Sequence, residues 1–266
     1  MKRLLPKGTK VGHTGTLDPL ASGLLVLLTG RATRLSRYVS GLDKDYVATA
    51  RFGAISATLD ADGEITSLKD ASILDETTIR AVTNHFTGEI SQIPPMASAI
   101  KVGGERLYKI LRRGEIVERE RRLTKVYALD LLTFDAQTKT ATFRVSCSSG
   151  TYVRTLIADL ASSLGTGAYL TALRRTQVGH FRVQRALSLE KLSSDTVSNY
   201  LIQAKEVVAH LPAVEVDPGH RGAVCSGRKI ETSEHGSFRV EVEGELLAVY
   251  RGEDGEARAE VVLCVG

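Results

Sequence analysis

The sequence feature that most constrains the fold is a pair of neighbouring stretches with the residue pattern of long β-strands. Residues 123–134 and 140–147 are rich in aliphatic, aromatic and β-branched side chains, and only the polar residues 135–139 separate them. Strands joined by so short a connection pair antiparallel. The pattern therefore predicts a β-hairpin, and the fold must contain an antiparallel sheet.

The remaining periodicities predict helices and strands around that hairpin. Asp75 stands where a helix cap is favoured, ahead of an apolar stripe that reaches residue 86, and Gly165 ends a helical pattern over residues 153–164. Residues 46–52 alternate between apolar and polar side chains, as a half-buried strand does. Further segments are predicted as a buried strand at 24–28, a strand-free crossing at 92–96, a strand at 168–181 and two short helices between 188 and 208.

The C-terminal part of the sequence has a different character. Short alternating stretches at residues 238–242 and 246–250 are separated by glycine-rich turns, which is typical of a small all-β unit. Leu211 and Pro212 precede this part. We therefore predict one domain at residues 1–210 and a second at 211–266.

The formal net charge of +4 combines two opposite contributions. Residues 211–266 carry six Lys/Arg against eleven Asp/Glu, whereas the rest of the chain carries 29 basic and 20 acidic residues. The body thus has a net charge of +9 and the tail one of −5. Such a body indicates a polyanionic partner.

Composition and cysteine use exclude several classes of protein. With 25% charged and 42% hydrophobic residues, a disordered chain is excluded. Three cysteines without a C-x-x-C pair exclude a disulfide scaffold and a zinc ribbon, and fit a reducing cytoplasm. The apolar run 24–28 is too short to span a bilayer, no signal peptide opens the chain, and the histidines lack ligand spacing. We expect a cytoplasmic protein without a metal site or a membrane segment.

Asp18 is the first candidate for chemistry. It stands between Leu17 and Pro19, within the glycine-rich residues 11–23. A carboxylate held there could act as nucleophile or base, whereas an aspartate before proline is commonly a helix cap or part of a turn. His13 could contact a phosphate or a base, or could lie in a turn. The loop matches neither the P-loop nor the dinucleotide-binding pattern.

A second acidic loop lies at residues 58–64. Asp60 and Asp62 give it a faint similarity to a calcium loop, but the third ligand and the distal glutamate of that motif are missing. We predict a β-turn.

Residues 101–125 form a dense basic segment. They carry nine Lys/Arg against four glutamates, and Tyr108 stands among these charges. Such a segment is either a solvated face or a seat for a phosphate backbone, and the pattern leaves both open. The candidates for contact with such a backbone, which would be RNA-binding residues if the partner is an RNA, are Lys101, Arg106, Lys109, Arg112 and Arg113.

Arg154 follows Tyr152 at the start of the predicted helix 153–164, away from its apolar stripe. An arginine there could bind a carboxylate through two hydrogen bonds. The spacing alone favours a surface arginine.

Seven short stretches occur in the order of one known family: Gly12-His-Thr-Gly-Thr-Leu-Asp-Pro-Leu-Ala-Ser-Gly23, Arg31-Ala-Thr-Arg34, Lys44-Asp-Tyr46, Pro94-Pro95, Gly104-Glu-Arg-Leu-Tyr108, Ser149-Gly-Thr-Tyr-Val-Arg154 and Leu173-Arg-Arg175. Together they resemble the TruB family of tRNA pseudouridine synthases, with high specificity from about residue 3 to residue 181. The tail more weakly resembles the PUA-like domain of bacterial members. The resemblance implies an α+β fold: a catalytic domain with a mixed, mainly antiparallel sheet, then a small PUA-like β-domain.

The resemblance also implies a reaction. A uridine in the T-loop of tRNA (position 55) becomes pseudouridine: its N-glycosidic bond breaks, the base turns over, and it rejoins through carbon. Asp18 is then the nucleophile, Arg154 its ion-pair partner, and Tyr46 the ring that stacks on the base and accepts a proton. His13, Tyr46, Tyr152 and Leu173 fall at substrate-contact positions. Isomerisation needs no redox partner and no external water, so we expect no cofactor and no metal, with the T-arm of tRNA as partner of a monomer.

Two other functions stay open. The chain could be a non-catalytic tRNA-binding or tRNA-folding protein. A glycoside hydrolase would need a second acid facing Asp18, and the motif stretches offer none. The resemblance further implies a strand and an Asp-Lys-Pro-x-Gly-x-Thr-Ser segment ahead of the Gly12 loop. Because the sequence opens with Met1-Lys-Arg-Leu-Leu5, we expect this form to lack that segment, through a misplaced start or a truncation.

Overall fold

The computed structural model of the chain describes residues 1–264. Its strands are β1 (Val11–His13), β2 (Ala21–Gly23), β3 (Leu27–Thr29), β4 (Lys44–Phe52), β5 (Ala54–Ser56), β6 (Ile65–Leu68), β7 (Gly88–Gln92), β8 (Lys101–Val102), β9 (Glu105–Arg106), β10 (Arg122–Asp135), β11 (Thr140–Cys147), β12 (Ala168–Val178), β13 (Phe181–Arg182), β14 (Ala213–Glu215), β15 (Ile230–Glu231), β16 (Gly236–Val242), β17 (Glu245–Glu253) and β18 (Glu256–Val262). Its α-helices are α1 (Ser36–Ser40), α2 (Glu76–Thr83), α3 (Leu107–Arg112), α4 (Val153–Ser163), α5 (Ala204–Val207) and α6 (Arg221–Cys225).

The chain divides into two compact units that alternate along the sequence. The larger unit comprises residues 16–24 and 41–186, and the smaller unit comprises residues 1–15, 25–40 and the chain from residue 187 onward. The domain boundary expected between residues 210 and 211 stays a prediction. No helix within residues 1–264 is long and apolar enough to cross a membrane.

The larger unit is built on a mixed, mainly antiparallel sheet. Its strand order is β13-β12-β4-β11-β10-β7, and β2 lies parallel beside β12. The predicted hairpin is confirmed as β10 and β11, which pair antiparallel from Val126 opposite Cys147 to Asp135 opposite Thr140. The predicted strand over residues 46–52 is confirmed as part of β4, between β11 and β12.

Two helices of the larger unit bury their apolar stripes in one core with this sheet. From α4, Leu156, Ile157 and Leu160 are fully buried, and each such side chain contributes about 1.5–3 kcal/mol to folding. The predicted start of α2 is confirmed, since the Thr78 amide donates to the Asp75 side chain at 2.7 Å. Gly165, with φ of +74°, follows the end of α4 as predicted.

The smaller unit contains a second sheet, in the order β14-β16-β17-β18-β15. Its core includes Phe238, Leu247 and Tyr250, which belong to the alternating stretches of the sequence. The all-β prediction omitted α6, which contributes Val224 to the same core. The cysteine pattern predicted no disulfide framework, yet a disulfide joins Cys225 to Cys264, 39 residues further along the chain.

Four local predictions differ from the structure. The run 24–28 is not one strand, because Gly23 adopts a φ of +96° and the chain forms β2 before it and β3 near its end. The predicted strand 168–181 ends at Val178, where Gly179 turns the chain into β13. The crossing expected at residue 92 begins one residue later, because Gln92 is the last residue of β7. Between residues 188 and 208 the chain forms 3-10 turns and the short α5.

Candidate active site

Asp18 lies in an irregular loop that precedes β2. Its carbonyl accepts a hydrogen bond from the Ala21 amide at 2.8 Å, with Pro19 as the second residue of the turn. No helix begins at this point, so the turn interpretation is right and the helix-cap interpretation is wrong.

Arg175, on β12, fixes both ends of this loop. Its Nε donates to the Leu24 carbonyl at 2.8 Å and its Nη1 to the Thr16 carbonyl at 3.5 Å, while the Leu24 amide donates to the Arg175 carbonyl at 2.8 Å. A Cβ atom on Gly23 would lie 2.3 Å from the Arg175 carbonyl oxygen. The close approach of loop and strand therefore requires glycine at this position.

Arg154 is buried, not a surface residue as the spacing suggested. It lies in the first turn of α4 with a side chain only 3% exposed, and its Nη2 pairs with Asp18 Oδ2 at 2.9 Å. The same guanidinium donates to the carbonyl oxygens of Thr58 and Ala97 at 2.9 and 2.8 Å. The expected ion pair with Asp18 is thus present, and the arginine is held in one orientation.

Asp60 is a component of the site that the sequence did not reveal. Its side chain is 4% exposed, and its Oδ2 pairs with Arg154 Nη1 at 3.1 Å. Its Oδ1 accepts hydrogen bonds from the Thr58 hydroxyl and the Asp62 amide, so residues 58–62 do form the predicted turn. The motif stretches offered no second acid facing Asp18; Asp60, which lies outside them, pairs with the other terminal nitrogen of the same guanidinium.

Burial dominates the electrostatics of Asp18. It raises the pKa of the carboxyl group above its ordinary value, the Arg154 guanidinium opposes that rise, and the Asp60 carboxylate reinforces it. The ionised form of Asp18 therefore depends on Arg154, and Asp60 makes it harder to maintain.

Strand β12 aligns the other predicted contact residues with this loop. Leu173 lies opposite Ala21 on one side and Ala48 on the other, and Arg175 lies opposite Tyr46. Tyr46 is partly buried; burial raises its pKa to about 12, while a hydrogen bond from Arg175 opposes the rise. The phenol consequently keeps its proton at neutral pH.

Tyr152 and His13 lie in different units. Tyr152 immediately precedes α4 in the larger unit, and burial raises the pKa of its phenol. His13 lies on β1 of the smaller unit, exposed and opposite Leu27. Of the predicted residues, the larger unit contains Asp18, Tyr46, Tyr152, Arg154 and Leu173. Asp18 pairs with Arg154 and interacts electrostatically with both phenols, and Leu173 lies opposite Ala21 of the adjoining strand β2.

Comparisons with known proteins identify the family. The model of "TruB family pseudouridylate synthase (N terminal domain)" matches residues 2–153, and that of "tRNA pseudouridylate synthase B C-terminal domain" matches residues 154–214. The chain belongs to the TruB family. It is 41% identical to tRNA pseudouridine synthase B of Azoarcus sp. (strain BH72), over 96% of this chain and 86% of that protein. It is 42% identical to the protein of that name from Burkholderia mallei (strain NCTC 10247), over 97% of this chain and 86% of that protein.

A solved structure has the same fold as this TruB family chain. A chain in the crystal structure of a Cbf5-Nop10-Gar1 complex is 26% identical, with a TM-score of 0.72 over 96% of this chain and 77% of that one. The α+β class with a mixed, mainly antiparallel sheet is confirmed.

The basic segment of this TruB family chain, residues 101–125, runs through β8, β9 and α3 and reaches the start of β10 in the larger unit. Leu107 and Ile110 of α3 are buried with Met96, which leaves the charged side chains outside. Lys101, Arg106, Lys109, Arg112 and Arg113 are all exposed. The charged side chains thus face solvent, which fits both a solvated face and a seat for a phosphate backbone, and contact with RNA stays a prediction.

The arginines of this segment differ in their partners. Arg113 is held by both carboxylate oxygens of Glu105, at 2.6 and 2.9 Å, and by Glu115 at 2.7 Å. The guanidiniums of Arg112 and Arg106 instead lie over the Tyr108 ring, 5.5 and 6.0 Å from its centroid. Arg112 therefore keeps its charge available, whereas the charge of Arg113 is compensated within the chain.

Proposed function

We propose that this chain isomerises uridine to pseudouridine in the T-loop of tRNA, at position 55, with Asp18 as nucleophile. The observation that carries the proposal is the ion pair between Asp18 and the buried Arg154, in a chain 41–42% identical to proteins named tRNA pseudouridine synthase B. The proposal includes a monomeric, cytoplasmic enzyme. A single mass in solution equal to 28.7 kDa would support the monomer, and a multiple of it would contradict it.

The geometry fits the chemical requirements of the isomerisation. The Asp18 carboxylate attacks either the sugar or the uracil ring, and the bond between C1′ and N1 breaks, with its electron pair leaving on the base. After the base turns over, C5 bonds to C1′, Asp18 is released, and C5 loses its proton. N1 gains a proton while C5 loses one, so the composition of the uridine is unchanged. Both routes need Asp18 ionised, which is what Arg154 favours.

Tyr46 serves in this proposal as the ring that stacks on the extruded base. An aromatic face replaces the stacking that a base loses when it leaves a folded RNA loop. Its oxygen is the proposed acceptor for the C5 proton: the phenol first gives its own proton to N1, which holds the electron pair of the broken bond, and the resulting phenolate then takes the proton from C5. Burial raises the pKa of this phenol to about 12 and Arg175 opposes that rise, so the proposed phenolate exists only during the transfer.

Asp60 is poorly suited to act as the acid of a glycoside hydrolase. One of its oxygens accepts two hydrogen bonds and the other pairs with Arg154, so neither is free to protonate a leaving group. We propose that Asp60 fixes Arg154 in place and does not touch the substrate.

Incubation with unmodified tRNA tests the proposal. The wild-type chain should form pseudouridine at position 55 and release no uracil. Asp18→Asn should bind tRNA with unchanged affinity and form no product. Substantial turnover by Asp18→Asn would overturn the role of Asp18. Free uracil would indicate a hydrolase, and tRNA binding without any product by the wild type would indicate the non-catalytic alternative.

A further inference from the structure

Gln92 makes an unusual pair of hydrogen bonds at the entrance to α4. It is the last residue of β7 and only 1% exposed. Its Nε2 donates to the Tyr152 carbonyl at 3.2 Å, and its Oε1 accepts from the Tyr152 amide at 3.0 Å. One side chain thus satisfies both backbone groups of a residue 60 positions away in the sequence, as a neighbouring β-strand would.

The partner of these bonds occupies a position where the helix has no cap of its own. Tyr152 is the residue before α4, and its side chain makes no capping hydrogen bond. Its carbonyl accepts from Leu156, which closes the first turn of the helix, as well as from Gln92. Arg154 follows two residues later within that turn. The position of the Tyr152 backbone therefore determines where the Arg154 side chain leaves the helix.

We propose that Gln92 is a positioning residue for the active site: its amide locks the backbone of Tyr152, and thereby the phenol of Tyr152 and the Arg154 guanidinium that pairs with Asp18. The inference rests on the proposed function for its catalytic consequence, but its structural part stands separately. Displacement of a catalytic group by about 1 Å can lower turnover by two orders of magnitude. Loss of the two hydrogen bonds between Gln92 and Tyr152, which we call the brace, should therefore lower kcat.

The two hydrogen bonds of Gln92 can be tested with a glutamate at this position, because its protonation state changes with pH. A glutamate here can replace both bonds only in its neutral form, which has one O–H donor and one carbonyl acceptor. Its ionised form would face the Tyr152 carbonyl without a proton to donate. Arg122 lies opposite Gln92 in the ladder with β10, and Arg119 donates to the Pro94 carbonyl at 3.3 Å. Glu118 and Glu120 line one cavity with these two arginines, and the Tyr152 phenol interacts electrostatically with Arg122, Asp18 and Arg154.

The experiment compares Gln92→Leu, Gln92→Glu and the control Gln177→Leu. Gln177 also uses its side-chain amide on a backbone carbonyl, that of Gly179 at 2.7 Å, at the C-terminal end of β12. We expect Gln92→Leu to lower kcat about 10- to 100-fold with the Kd for tRNA unchanged. Gln177→Leu should leave both close to wild type.

The pH dependence separates positioning from general damage. The ratio of kcat for Gln92→Glu to that of wild type should increase as the pH falls, by up to about tenfold per pH unit until the glutamate is protonated. A Gln92→Glu variant whose kcat stays reduced by the same factor at every pH, or a Gln92→Leu variant with the kcat of wild type, would overturn the inference.

Hydrogen exchange keeps this test distinct from that of the proposed function. In Gln92→Leu the amides of residues 151–156 should exchange at least tenfold faster than in wild type, while those of β11 stay unchanged. This measurement needs no turnover. If wild type forms no pseudouridine but exchange at Tyr152 still depends on Gln92, the proposed function fails and the brace stands. Unchanged exchange in a folded Gln92→Leu overturns the brace itself.

Discussion

The larger unit contains two clusters of arginine with carboxylates that differ in their surroundings. In one, the nearly fully buried Arg154 bridges Asp18 and Asp60. In the other, Arg113 bridges Glu105 and Glu115 with about half of its side chain exposed. Buried charges are costly to leave unpaired, whereas exposed pairs are screened by water and salt. The same residue types therefore fix geometry in the first cluster and adjust surface charge in the second.

Removal of Arg154 should produce the largest difference between the clusters. Arg154→Met leaves two carboxylates near each other without a cation, and we expect it to lower the free energy of unfolding by about 3–5 kcal/mol and to abolish pseudouridine formation. Chemical denaturation and a product assay measure the two effects.

The matched control is Arg113→Met in the exposed cluster. It should leave the unfolding midpoint where it is in wild type. Equal losses of stability in the two variants would break the comparison, because burial would then not decide the importance of an ion pair.

Asp60→Asn should give the next largest effect and should alter the pH dependence. The Asp60 carboxylate raises the pKa of Asp18, so its removal lowers that pKa, and the acid limb of the kcat profile should move to lower pH. The variant also loses one of the two anchors of Arg154, so we expect kcat at neutral pH to be lower by about tenfold or more.

Measurement of kcat from acid to neutral pH decides this point. An acid limb that moves to higher pH would show that Asp60 acts on Asp18 chiefly by orienting Arg154. In that case the charge of Asp60 would be secondary.

The smallest expected effect concerns RNA binding by the exposed cluster. Arg112→Gln should weaken tRNA binding a few-fold and reduce the slope of log Kd against log salt by roughly one, because its charge is available for a phosphate. Arg113→Gln should change both less, since two glutamates already compensate that charge. Filter binding at several salt concentrations measures both slopes. Equal effects would show that RNA displaces the glutamates, and no effect of either would leave the segment as a solvated face.

The sequence predicted local elements well, because their patterns are local. The hairpin of β10 and β11, the cap of α2 and the glycine after α4 each depend on residues close together in the chain. The glycine-rich motif pointed to Asp18 as a candidate nucleophile, and the family resemblance pointed to Arg154 as its ion-pair partner.

The burial of Arg154 and the presence of Asp60 could not be derived in the same way. Arg154 and Asp60 are 94 positions apart in the sequence. Only the packing of α4 against the turn at residues 58–62 brings them together. No periodicity marks an aspartate in a polar turn as buried. The role of Gln92 escaped for the same reason, since its partners are backbone atoms 60 residues away.

The attachment of the Asp18 loop to a single strand residue limits how the loop can evolve. Arg175 binds the carbonyl groups of both Thr16 and Leu24, so the two ends of the loop between them are held at a fixed distance from each other. An inserted or deleted residue would shift Asp18 relative to Arg154, whereas exchanges that preserve length would be tolerated more readily. The loop between Thr16 and Leu24 loses its conformational entropy when the protein folds. It therefore does not have to be ordered again each time a substrate binds.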